Sequence, residues 1–142
     1  MSRLLSRSRV KLINAENSYK CMDIDDAFTD DCCYNLQQAI EMALKAIVEL
    51  NGLAIAENHG LRANLNVLNR ADIIIPRQEE IRSMASTLYS WETETRYKDS
   101  FVALKEDIEE ARVIAKDIIS YAESLIEAID DVVMNDIPDK KI

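Results

Sequence analysis

A chain of 142 residues, 48% of them hydrophobic, can bury one core without metals or disulfides to hold it, so one domain spanning residues 1–142 is expected. Its formal charge of -9 repels phosphate backbones over most of the surface and argues against general, salt-driven nucleic-acid binding. No stretch approaches the roughly 20 uncharged apolar residues that a helical membrane span requires, so no membrane partner is expected. With only two glycines and two prolines to make turns, the elements should be few and long, which suits helices and not a many-stranded sheet.

The first periodic segment covers residues 2 to about 22, with Leu5, Leu12, Ala15, Tyr19 and Met22 as its core stripe. Its first 20 residues hold Arg3, Arg7, Arg9, Lys11 and Lys20 against the single acid Glu16, a local +4 that leaves -13 for the remainder. An arginine-rich, acid-poor start can mimic a mitochondrial presequence, but the continuing apolar stripe identifies a core helix with a basic face. The acidic run Asp23, Ile24, Asp25 and Asp26 lacks the glycine and distant glutamate of an EF-hand loop and is expected to be a solvated connection.

A second helix is expected from Thr29, Asp30 and Asp31, acids that suit an N-terminus, to the stop at Asn51 and Gly52. Leu36, Ile40, Ala43, Ile47 and Leu50 form its stripe, and Ala39 and Ala46 widen it enough to touch two neighbours, as in the central helix of a bundle. Residues 53–76 are the least regular, with Leu61, Leu65 and Leu68 marking a short helix. Pro76 is expected at the first position of a fourth helix whose stripe is Ile81, Met84, Ala85, Leu88 and Trp91, ending near Tyr97. The last segment steps through Leu104, Ile108, Ala111, Ala115, Ile118, Ala122, Leu125, Ile129 and Val132 in fours and threes. A second row, Ile119, Ile126 and Val133, doubles the apolar width of its C-terminal half, an excess expected to meet a second subunit. The expected fold is therefore all-α, an antiparallel up-and-down bundle of four main helices plus one short helix.

Glycine-rich phosphate loops and the HExxH and GxSxG motifs are absent. Cys21, Cys32 and Cys33 are odd in number and form no CxxC, which fits a reducing cytoplasm and gives no metal site. Nothing in the sequence brings any of them to His59, the only histidine, as a nucleophile–base pair would require. No metal or cofactor is expected.

More informative is a distributed set. Tyr34, Gln37, Gln38, Ala39, Glu41, Ala43, Lys45 and Ala46 fall in the second helix; His59, Leu61, Leu65 and Leu68 follow a loop; then come Glu94, Thr95, Arg96 and Tyr97. Over residues 34–125 this order and spacing resembles the HEPN family, and its nucleotidyltransferase substrate-binding branch in particular. The resemblance implies a helical bundle, commonly a homodimer, encoded beside a small nucleotidyltransferase as its partner or substrate-binding subunit. Some relatives cut RNA, through an arginine followed after four to six residues by a histidine. The matching arginine here is Arg96, but Phe101, Val102 and Ala103 stand in that window and His59 lies 37 positions upstream.

Ordinary explanations compete at each candidate. Glu41 and Lys45 have the i,i+4 spacing of a surface ion pair. His59, just before Gly60, could serve only to cap the short helix. Arg96 could brace Glu94 or Glu92, yet its planar fork also matches a phosphate, and Tyr97 could stack on a base. Arg96, Lys98 and Lys105 form an island of bases in an acidic C-terminal half. The expectation is a non-catalytic module that binds a nucleotide or RNA end, or docks a nucleotidyltransferase, through Arg96, Tyr97, His59, Glu94, Lys45 and Glu41. The alternative is a ribonuclease toxin of a toxin–antitoxin pair with His59 as its acid or base; a third is a purely structural dimer.

Overall fold

The computed structural model describes residues 2–57, 60–97 and 103–136. Among these, five helices and no strand occur: α1 (Arg3–Lys20), α2 (Asp26–Leu50), α3 (Gly60–Arg70), α4 (Gln78–Tyr97) and α5 (Lys105–Asp136). The fold is an all-α helical bundle with α2 at its centre. α2 packs against every other helix, most extensively α1, whereas α4 and α5 barely touch.

Why α2 can serve as a hub follows from its side chains. Leu36, Ile40, Leu44 and Ile47 fill the core, and Ala39, Ala43 and Ala46 keep the backbone accessible to neighbours. Ser8 of α1 uses that access: fully buried, it donates from Oγ to the Ala39 carbonyl at 2.6 Å. A larger residue at either position would push the two helices apart. Buried side chains from all five helices join one cluster that includes Leu5, Leu68, Leu88 and Ile118.

Three boundaries differ from the sequence expectation, each through local capping. α1 stops at Lys20, with Cys21 as its cap, two residues before Met22. α2 begins at Asp26, earlier than Thr29, because the Asp25 carboxylate accepts from the Ala27 N–H at 2.8 Å; the acidic run is thus partly a helix cap and not a plain connection. Pro76 lies two residues ahead of α4 and does not occupy its first position. Arg77 intervenes in a left-handed conformation (φ 61°), its carbonyl taking the first helical bond from Ile81 and its guanidinium reaching Asp117 of α5 at 2.7 Å.

On α5 the expected seam is buried from Ile108 through Ala122, and Ile119 of the second row is buried in the same chain. Beyond that the seam runs out of partners: Ile129, Val132 and Val133 are 40, 57 and 54% exposed. The cause is length. At about 1.5 Å per residue, the 32 residues of α5 span about 48 Å, against about 37 Å for the 25 of α2.

α1 and α5 run antiparallel and are tied by a polar brace. The Arg112 guanidinium donates to both Glu16 oxygens (2.9 and 2.7 Å) and to Glu109 (3.0 Å), lying 3.7 Å from the centre of the Tyr19 ring. The Tyr19 hydroxyl in turn donates to Glu109, and Lys116 stands 3.5 Å from Glu16. Hydrogen bonding to Arg112 holds the Glu16 carboxyl below its ordinary value of 4.5, despite partial burial.

Glu16→Gln should cost about 1–2 kcal/mol at pH 7, the worth of a partly buried charge-assisted pair. A depressed folded-state pKa makes this contribution present above 4.5 and lost as pH falls through the lower folded value, so wild type and variant should converge in acid. Urea unfolding at pH 7 and pH 3 checks this; an unchanged gap at both would contradict it.

Candidate functional site

After the core has claimed most of α2, a single outer stripe is left partly open: Tyr34, Gln38, Glu41, Met42 and Lys45, spaced by three and four residues. Just behind it, Gln37 is 2% exposed and faces α4, where its Nε2 donates to Glu92 Oε2 at 3.5 Å. Gln38 donates to Gln37 Oε1 at 2.6 Å, so the two amides are linked in a chain to the α4 carboxylate.

One turn further along α2, the Lys45 ammonium stands 3.9 Å from Glu41 and 3.8 Å from Glu57. Glu57 comes from the α2–α3 loop, which Asn64 clamps. The Ala56 N–H donates to Asn64 Oδ1 (2.9 Å), and Asn64 Nδ2 donates to the carbonyls of Ala56 (3.2 Å) and Gly60 (3.0 Å). Asn64 is 1% exposed, and Gly60 supplies the positive φ of 75° with which α3 opens. The described part of the loop is therefore tied to α3 at Ala56, the residue before Glu57.

The Glu41–Lys45 pair has the geometry of a helix-surface ion pair but not its solvation: the side chains retain only 19% and 14% of their exposure. Burial pushes the Glu41 carboxyl above its usual value, and the like charges of Glu92 and Glu57 add to this, against the opposing pull of Lys45 and Gln37. Lys45 thus has two carboxylates within 4 Å, the largely buried Glu41 and the exposed Glu57, while Glu92 reaches the pair through Gln37. A partly buried excess of acid of this kind is an environment found where ligands bind.

Of the other sequence candidates, His59 lies outside the described residues, as does Lys98. The backbone of Glu94, Arg96 and Tyr97 forms the last turn of α4, with Arg96 one helical turn after Glu92; their side chains lie outside the described part. Lys105 is the exposed first residue of α5. Cys32 and Cys33 are buried, and burial raises both thiols, Cys32 to about 12, so neither is a nucleophile at neutral pH. Among the described residues no three His, Cys, Asp or Glu side chains are grouped to hold a metal ion. Sequence reasoning left Gln37, Glu57 and Glu92 out of the site. Gln37 and Glu92 could have been reached through the helical period; Glu57 had no signal, because a loop has no period.

A raised folded-state pKa makes the Glu41 contribution to stability present below 4.5 and lost as pH rises through the folded value. Glu41→Gln should therefore melt higher than wild type at pH 7 and equal it near pH 4. Melting curves across that range check this, and a variant less stable at pH 7 would show that the Lys45 pairing outweighs burial.

A family model described as the HEPN domain matches residues 1–132. Comparison with curated proteins and with solved structures found no match in either. The family match spans nearly the whole chain, includes the α2 stripe and the end of α4, and extends on both sides of the region where the motif residues were recognised. On that match, the chain belongs to the HEPN domain family.

Proposed function

We propose that the protein is a non-catalytic module that binds a nucleotide or the end of an RNA, and that presents this site to a small nucleotidyltransferase partner. Family membership carries a nucleotide- or RNA-related role; the partner is suggested by the resemblance of the motif residues. The observation that carries the binding half is the Glu41–Lys45 pair with Glu57, next to Gln37, whose amide reaches Glu92 one helical turn before Arg96 on α4.

Each component suits one part of a nucleotide. Carboxylates accept from the exocyclic amines of bases, and the Gln37 and Gln38 amides can both donate and accept. Lys45 supplies a point charge for phosphate and Arg96 a bidentate fork. Tyr97 offers a ring for stacking, and Glu94 and His59 flank the same region in sequence. Binding in place of cleavage follows from positions 101–103, where no histidine stands after Arg96 to move a proton at the phosphodiester.

One observation favours the second reading, a ribonuclease toxin: the half-buried Glu41 holds its proton more tightly than an ordinary carboxyl and could act as a general acid. Cleavage of single-stranded RNA that is abolished by Glu41→Gln or His59→Ala, with fold intact, would establish that reading.

For the binding module, calorimetric titration with adenosine 5′-monophosphate and with a 5′-phosphorylated oligoribonucleotide is the test. Arg96→Ala should weaken binding by about tenfold or more, roughly 1.4 kcal/mol, and Arg96→Lys by less. Tyr97→Ala should cost more than Tyr97→Phe if stacking dominates. A lower melting temperature with unchanged affinity in Arg96→Ala would make Arg96 a brace and overturn its role.

A further inference from the structure

The formal charge of -9 is spread unevenly over the helices, and α3 with the facing part of α4 escapes it. Residues 58–71 hold Arg62 and Arg70 and no acid, and residues 81–91 hold Arg82 and no acid. Helical period gathers these residues onto one outer face. Arg62, Asn66 and Asn69 recur by four and three along α3, and Arg82, Ser86 and Tyr89 recur the same way along α4. The two rows interlock. Arg62 Nη2 donates across to the Arg82 carbonyl (3.3 Å) and to Ser86 Oγ (3.4 Å), while the Arg82 guanidinium donates back to Asn66 Oδ1 (3.1 Å) and to Asn69 Oδ1.

All of these acceptors are neutral. Among the described residues no carboxylate pairs with Arg62 or Arg82, in contrast to Arg77 and Arg112, and the Nε and Nη1 donors of Arg62 have no partner. Two guanidiniums are thus held in place by dipoles, with no acid to match their charge. Next to them, Gly60, Leu61, Ala85 and Tyr89 complete with Arg62 and Ser86 a groove of about 280 Å³. The Tyr89 side chain is 66% exposed, the most open aromatic among the described residues.

We propose that the groove between α3 and α4 binds single-stranded RNA, with Arg62 and Arg82 on a phosphate and Tyr89 stacked on the adjoining base. A guanidinium with unused N–H donors takes phosphate oxygens, and an exposed ring stacks on any base; together they make a sequence-tolerant single-strand site. The acidic remainder of the surface confines the strand to this face. The inference rests on the reading of the ligand as an RNA end at Arg96 and Tyr97, and extends it. The backbone position of Arg96 falls seven residues after Tyr89, two turns or about 10 Å further on the same face of α4. A strand whose end sits at Arg96 therefore continues over Tyr89 to the two arginines, whereas a free nucleotide fills only the end site.

Calorimetric titration of the full chain with adenosine 5′-monophosphate and with a 5′-phosphorylated hexaadenylate separates the groove from the end site. Wild type should bind the hexanucleotide about tenfold more tightly than the mononucleotide. Tyr89→Ala and Arg62→Ala should each weaken the hexanucleotide by about tenfold and leave the mononucleotide unchanged, while Tyr89→Phe keeps the ring and should bind as wild type does. Arg62→Ala should also flatten the slope of log affinity against log salt by about 0.7, the loss of one phosphate contact. If Arg62→Ala lowers the melting temperature, Arg62→Gln, whose amide can still donate to Ser86, should show the same losses with the fold intact. A hexanucleotide bound equally by wild type and both alanine variants would overturn the groove and leave the end site standing. Loss in those variants with Arg96→Ala unaffected would uphold the groove and overturn the end site, and a hexanucleotide that does not bind at all would overturn both. Binding of a polyglutamate peptide that requires Arg62, with RNA affinity indifferent to Tyr89→Ala, would also overturn the proposal and assign the groove to an acidic segment of a protein.

Discussion

The central constraint on this structure is that α2 must be buried on nearly all sides at once. A helix surrounded by four others can present few large residues in every direction, and α2 meets this with alanines at 39, 43 and 46 between Leu36, Ile40, Leu44 and Ile47. The buried hydrogen bond from Ser8 to the Ala39 carbonyl is the closest expression of it: a backbone carbonyl already engaged in the helix also accepts from a neighbour, which demands small side chains around it. What α2 cannot bury it presents as one narrow polar stripe. Site and core are consequently two faces of the same element, and the position of Glu41 and Lys45 is set by how tightly the opposite face packs.

This coupling explains the contrast between the two charged clusters. The Arg112 brace joins α1 to α5 with charges nearly matched, two acids against an arginine and a lysine, and every oxygen near a donor. It depresses the Glu16 pKa, as a structural ion pair does. Around Lys45 the balance is reversed, with two carboxylates, Glu41 and Glu57, beside one ammonium and a Glu41 pKa that burial raises. Clusters of similar composition thus differ in the sign of the shift, and the sign separates a group that stabilises the fold from one whose charge the fold tolerates.

Much of the architecture was legible because it rests on period. The stripes of α2 and α4 fell where the spacing placed them, and Ile81, Met84, Ala85, Leu88 and Trp91 are all buried. Errors collected at the caps, where one side chain outweighs propensity: Asp25 starts α2 early, and Arg77 takes a left-handed conformation between Pro76 and the first turn of α4. Within the site, Glu41 and Lys45 could be paired from their spacing, but their burial could not, since it depends on α4 and on a loop clamped by Asn64. The polar contacts of α1 with α5 join residues some 96 positions apart and leave no local trace in the sequence.

The central claim is that the outer stripe of α2, with the end of α4, is the face that meets a nucleotide. A nitrogen-edited NMR titration with adenosine 5′-monophosphate tests it most directly, because backbone signals report each residue without altering it. The account predicts that amide signals of Gln37, Glu41, Lys45 and Glu92 shift together with those of Arg96 and Tyr97, while Glu16 and Arg112 in the brace between α1 and α5 stay still. Shifts centred on α1 and α5 with the α2 stripe unmoved would contradict it.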